Sequence, residues 1–272
     1  MKNLLLAIAI LFGLSANAQK NVFLKIDHFL NGNAFALNTA ATNNLVNSFN
    51  VNRLEYYISQ VVLVHDGGQQ TAVPNTWILV NASSPLNKSL GSFNFTSLEA
   101  VKFSIGVEQA YNHLDPASYP MSHPLAPKSP SMHWGWSGGY IFAAMDGNGG
   151  AALNQPFEFH GLGDNVYYTL TIPTTATASG GDIIIALNAD YEGALYNIDV
   201  TSGGIVHSEN GAAKTLLQNF SYHVFTSSAE GNASMAIEEG IGASAIQFFP
   251  NPTSGNVTIS YAEIDGELEF VV

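Results

Sequence analysis

Hydrophobic and polar residues alternate from Val22 onward: Val22, Leu24, Ile26 and His28 share one face, with Lys25 and Asp27 on the other. A period of two marks a half-buried strand. Asn31-Gly32 follows as a turn, and Phe35-Ala36-Leu37 is placed to pair back across it. Leu54 to Val64, LEYYISQVVLV, is rich in β-branched and aromatic residues and stops at Asp66-Gly67-Gly68. The same pattern predicts strands over 76–81, 98–107, 140–145, 156–160, 166–172, 182–187 and 220–225. Asp146-Gly147-Asn148-Gly149 reads as a hairpin turn rather than a calcium loop, because the remaining ligand positions of such a loop are missing. No amphipathic helix of four turns appears. Short strands at this spacing predict an all-β fold, an immunoglobulin-like antiparallel β-sandwich over 19–228.

One stretch breaks the pattern. Five prolines, Pro116, Pro120, Pro124, Pro127 and Pro130, forbid a helix or a central strand there. The segment Asp115–Trp136 is therefore expected as a long shaped loop at one end of the sandwich. It ends in Met132-His133-Trp134-Gly135-Trp136 and feeds Tyr140-Ile141-Phe142, an expected strand. Trp134 and Trp136, two apart, share a face if the backbone is extended. Such a pair either caps the core or, with Tyr140, forms a stacking platform for sugars.

The two ends of the chain carry different signals. Met1-Lys2-Asn3, the apolar run Leu4–Leu14 and Ala16-Asn17-Ala18 make a secretory signal peptide over 1–18, cleaved after Ala18. That run is too short to anchor the mature protein, and no second long apolar run follows, so no membrane span is expected. The expected location is outside the cytoplasm: periplasm, cell surface or medium. Ala229–Ser244 is small, acidic and glycine-bearing, as a linker would be. Phe248-Phe249-Pro250-Asn251-Pro252-Thr253-Ser254-Gly255 then leads into Val257-Thr258-Ile259. This resembles the opening of the C-terminal sorting domain of type IX secretion in Bacteroidetes-type bacteria. The resemblance implies a shortened sorting domain over 245–272 and the type IX machinery as a partner.

Composition narrows the chemistry. The chain carries 21 acidic and eight basic residues, for a formal charge of −13, which excludes nucleic acid as a natural partner. It has no cysteine, so thiolate metal sites, thiol catalysis and disulfides are out. No nucleophile elbow, phosphate loop or dinucleotide fingerprint occurs, and no enzymatic activity is expected. Eight histidines remain, the side chains best suited to copper, zinc, iron or nickel. No HExxH or His-x-His pair singles any of them out. His65, His207 and His223 sit by turns or in strands without a ligand-like neighbour and are read as bystanders.

Five separated motifs occur in one order: Tyr56-Tyr57-Ile58-Ser59; Gly106-Val107 with Asn112-His113-x-Asp115-Pro116; Met132-x-Trp134-x-Trp136; Gly139-Tyr140-x-Phe142; and Phe159-His160-Gly161-Leu162-Gly163. Over about Val22 to Phe225 this resembles the MbnP-like copper-binding protein family. The resemblance implies a secreted β-sandwich that binds copper through histidines and a tryptophan oxidised to kynurenine, whose aryl amine suits Cu(I). It also implies a MauG-like di-haem enzyme as the partner that performs the oxidation. Here the modified residue would be Trp134 or Trp136. His123-Pro124-Leu125-Ala126-Pro127 is an insertion relative to the family, and His133 directly precedes Trp134. On this basis His133, His160 and His28 are the expected ligands, with His113 and His123 as further candidates and His207 dispensable. The rival reading is a carbohydrate- or surface-binding module using the tryptophan pair.

Overall fold

The computed structural model describes residues 19–177, 182–228, 247–249 and 258–260; the expected signal peptide and linker lie outside them. The chain divides into two compact units, Met1–Ser234 and Met235–Val272. Among the described residues, no helix is long and apolar enough to cross a membrane.

The alternating segment from Val22 is strand β1 (Lys20–Leu30), and its buried face (Val22, Leu24, Ile26) enters the core. Asn31-Gly32 turns into β2 (Asn33–Ala34), a return shorter and earlier than the expected Phe35–Leu37. A short β3 (Ala41–Thr42) precedes β4 (Ser48–His65), the long strand that runs through the second sheet. Then come β5 (Gln69–Ala72), β6 (Trp77–Asn81), β7 (Leu86–Phe93) and β8 (Ser97–Ile105). Beyond the proline-rich loop lie β9 (Ile141–Gly149), β10 (Gln155–Leu162), β11 (Tyr168–Thr177) and β12 (Ile183–Asp190). The unit closes with β13 (Gly204–Ser208), helix α3 (Gly211–Asn219), which follows two one-turn helices at the two ends of the proline-rich loop, and β14 (Phe225–Ser227).

These strands form two sheets. One has the order β14-β12-β1-β2, with β7 also along β1; the other runs β11-β8-β4-β9-β10-β13, with β3, β5 and β6 along β4. The β-sandwich is as expected, but it is mixed rather than antiparallel: β1 pairs with β12, and β10 with β13, in parallel. Parallel neighbours cannot be joined by a hairpin and need a long connection, and local alternation cannot reveal such a partner. The core between the layers is aromatic at one end, where Tyr56 of β4 meets Tyr191, Phe220 and Phe225.

Two further expectations are corrected. Residues 220–224 form a single π-helical turn continuing α3, and only Phe225–Ser227 is strand. Leu216, Leu217, Phe220 and Val224 are all buried, and their spacing fits a helical stripe. Asp146–Gly149 is no turn but the end of β9; the chain reverses at Gly150–Asn154 instead. Gly147 is needed for contact rather than for turning, since a Cβ there would strike the Asn50 carbonyl and the Phe157 ring.

The proline-rich loop does not sit at one end. Tyr56 faces the opposing layer, so Arg53, Glu55 and Tyr57 point outward, and the loop lies on that outward face. Tyr57 donates to the Pro124 carbonyl (3.1 Å) and Tyr140 to the Leu125 carbonyl (2.6 Å). Leu125, Ala126 and Met132 are buried beneath it. A fully buried Leu or Met side chain contributes roughly 1.5–3 kcal/mol, which helps hold a segment that has no long helix or strand.

His28, an expected ligand, is part of the small sheet's scaffolding. Its Nε2 donates to the Ser84 carbonyl (3.0 Å), and its Nδ1 accepts from the Tyr191 hydroxyl (2.7 Å), so neither nitrogen is free. Burial holds its pKa below the ordinary value against the Ser84 hydrogen bond and Asp27. The fold thus keeps the ring neutral, whereas the unfolded chain takes up a proton below about pH 6.5. The stability this supplies is complete above that pH and is lost as the pH falls. Melting curves should show Tm dropping from about pH 7 to about pH 5, with a shallower drop in His28→Gln; an unchanged slope would contradict the assignment.

Candidate metal centre

Strand alternation sends Phe157 and Phe159 into the core and leaves Glu158 and His160 on the outward face of β10. The parallel register of β13 sets His207 directly beside His160. Their imidazoles stack with centroids 4.1 Å apart and planes 7° from parallel. On the other flank β9 sets Asp146 opposite Glu158. One ligand atom from each of Glu158, His160 and His207 lies within 4.8 Å of the others.

The proton positions follow from the hydrogen bonds. His160 Nε2 donates to Asp146 Oδ1 at 2.7 Å, so the neutral ring keeps its lone pair on Nδ1. That Nδ1 is buried without a hydrogen-bond partner, and so is Nε2 of His207. The Glu158 carboxylate stands 3.3 Å from His207 Nε2, near enough for both to reach one ion. Burial, and then the adjacent His160, hold the His207 pKa below the ordinary value, with Glu158 and Asp146 pulling the other way. Each orphaned polar atom costs about 1–3 kcal/mol, which a bound cation would relieve. Two imidazoles and a carboxylate suit copper or zinc. A coordinating nitrogen aims its lone pair in the ring plane, so binding one ion requires a ring to turn out of the stack.

The tryptophan loop reaches this cluster. The helical turn α2 (Gly135–Gly138), which follows α1 (Gln109–Asn112) in the chain, contains Trp136 and has Trp134 as its N-cap. Two residues along a helical turn point about 200° apart, so the shared face expected for an extended backbone is not formed. Trp134 lies edge-on to His207, centroids 4.8 Å apart. Trp136 is 76% exposed and Trp134 51%, so neither caps the core. Asn112 pins the end of the loop: its amide donates to Asp164 (2.8 Å) while its Oδ1 accepts from Tyr140 N (2.7 Å). Gly139, at φ +71°, has no room for a side chain against that amide.

The remaining expected ligands are differently employed. His113 donates from Nδ1 to the Trp136 carbonyl (2.7 Å), and its Nε2 lies 3.2 Å from Asp164. His133 accepts at Nδ1 from Gly135 N–H (3.1 Å), so its unpartnered Nε2 carries a proton rather than a lone pair. Burial lowers its pKa, with Asp115 opposing and His113 adding to the shift. His123 stacks on Tyr119 (4.5 Å) and accepts from Leu125 N–H, beside Trp77 and apart from the cluster. Of the five expected histidines, only His160 belongs to the stacked pair. Sequence reasoning passed over His207 and Glu158. Glu158 was legible from the Phe157-Glu158-Phe159-His160 alternation, whereas His207 is tied to His160 only by strand pairing.

A β-sandwich with stacked imidazoles and a carboxylate on its outward face, under a tryptophan-bearing loop, has the makings of a transition-metal-binding protein. The chain belongs to the MbnP family, whose sequence profile matches residues 19–210 and so takes in Glu158, His160 and His207. That family is associated with copper binding. A solved structure, MbnP from Methylosinus trichosporium, aligns with a TM-score of 0.48 at 13% identity, covering 72% of this chain and 82% of that one. Comparison with curated proteins gives no match.

Proposed function

We propose that this chain is an exported copper-binding protein that holds Cu(I) at His160 and His207, with Glu158 as a third donor, in copper acquisition or buffering. The observation that carries the reading is the stacked pair with its two unpartnered, buried ring nitrogens. Copper is preferred over zinc because of the family association. When bound, the ion is cargo, and the residues bind and orient it without a catalytic step. Trp134 is the candidate for kynurenine because its ring lies against His207, whereas Trp136 points to solvent. Unmodified indole offers only an N–H donor, so ring opening, a net gain of one oxygen and loss of one carbon, is what would make it a ligand. A MauG-like di-haem enzyme would supply the oxidation, and the signal peptide and type IX tail would direct export.

Protein purified from its native host should contain copper by elemental analysis, and metal-free protein should take up one Cu(I) in competition titrations. Intact-mass analysis should show the kynurenine mass change in Trp136→Phe and not in Trp134→Phe. The exposed tryptophans also leave the carbohydrate-binding reading standing as the rival. Absence of copper in both assays together with glycan binding would establish that rival.

A further inference from the structure

Arg53 touches both halves of the candidate site. Its side chain, 16% exposed, projects from the outward face of β4 between the sheet and the loop. Nε donates to Glu55 on its own strand at 2.8 Å. Nη1 stands 3.7 Å from one oxygen of Asp146, whose other oxygen holds His160 Nε2. Nη2 reaches the loop, donating to the Ser131 carbonyl (3.3 Å) and the Met132 sulfur (3.2 Å). Met132 is buried and lies two residues before Trp134.

We propose that Arg53 is a positioning residue that ties the tautomer and orientation of His160 to the seating of Trp134 over His207; this rests on the copper-site reading above. The planar fork of a guanidinium presents several donors in fixed directions, so one group can hold Asp146 on one side and the loop on the other. With Arg53 alongside, Asp146 is held where its Oδ1 accepts the Nε2–H of His160, which leaves Nδ1 for the metal. With Ser131 and Met132 held, the short span to Trp134 has little freedom to lift from His207. Glu55 fixes the fork on its third side but touches neither half. A lysine at position 53 carries the charge as a single compact point and can serve one half or the other, not both.

The test is made on metal-free protein, so that its failure is separate from failure of the copper reading. Nitrogen-15 spectra of the imidazoles report the His160 tautomer, and a nuclear Overhauser contact reports Trp134 against His207. The wild type is expected to carry the His160 proton on Nε2 alone and to show the contact. Arg53→Lys, with far-UV circular dichroism unchanged, is expected to lose at least one of the two. Asp146→Ala is expected to mix the tautomers while keeping the Trp134 contact, and Glu55→Gln to keep both. Arg53→Lys retaining both, or a wild-type His160 protonated on Nδ1, overturns the proposal. On copper, Arg53→Lys is expected to weaken Cu(I) binding by about tenfold, in the range for loss of an outer-shell partner. If the tautomer and contact behave as stated but the wild type shows no copper affinity, Arg53's positioning role stands and the copper reading falls.

Discussion

His207→Ala is expected to weaken Cu(I) binding by about a hundredfold or more, roughly 2.7 kcal/mol, and His160→Ala by as much. The chain has no cysteine, so imidazoles are its strongest donors, and loss of either leaves one imidazole beside a carboxylate. His133→Ala should stay within about threefold of wild type, because its free edge is an N–H and its lone pair is already occupied by Gly135. This reverses the order suggested by the sequence, where His133 stood beside the tryptophans and His207 stood alone. Competition titration against a chelator of known affinity measures all three. A larger loss in His133→Ala than in His207→Ala would move the centre away from β10 and β13.

The second large effect is on stability. Gly147→Ala should destabilise the sandwich by at least about 3 kcal/mol, the upper end for overpacking a core. Gly147 is in β9, with β4 on one side and β10 on the other. An added methyl would meet the Asn50 carbonyl as well as the Phe157 ring, and a backbone in the middle of a sheet yields less than a side chain. Urea unfolding followed by far-UV circular dichroism reads the cost. A change below about 1 kcal/mol would mean that the two strands can separate locally and that the tight approach is not structural. Asp146 precedes Gly147, so the same substitution should also disturb His160, and copper affinity measured on the residual folded protein should fall with it.

The local pattern of residues determined a good deal here. Alternation of Val22, Leu24 and Ile26 placed β1 and its buried face, because side chains on a strand alternate whatever its partner. The prolines barred an α-helix or a central strand between Pro116 and Pro130, since a missing N–H and a fixed φ act within one residue of their cause. Five ordered motifs pointed to the MbnP family, and the sequence profile agrees. The same alternation put Glu158 and His160 on one face of β10. What local pattern did not supply was whatever depends on a distant neighbour. Asp146-Gly147-Asn148-Gly149 has the composition of a turn, and its pairing with β4 and β10 makes it a strand. Trp134 and Trp136 would share a face if extended, but the loop folds them into a helical turn that sends only one to the histidines. His207 lies 47 positions beyond His160, and nothing within either strand announces the other. It took the parallel pairing of β13 with β10 to stack the two rings, because strand register is chosen by the burial of whole sheets and not by the residues that the register brings together.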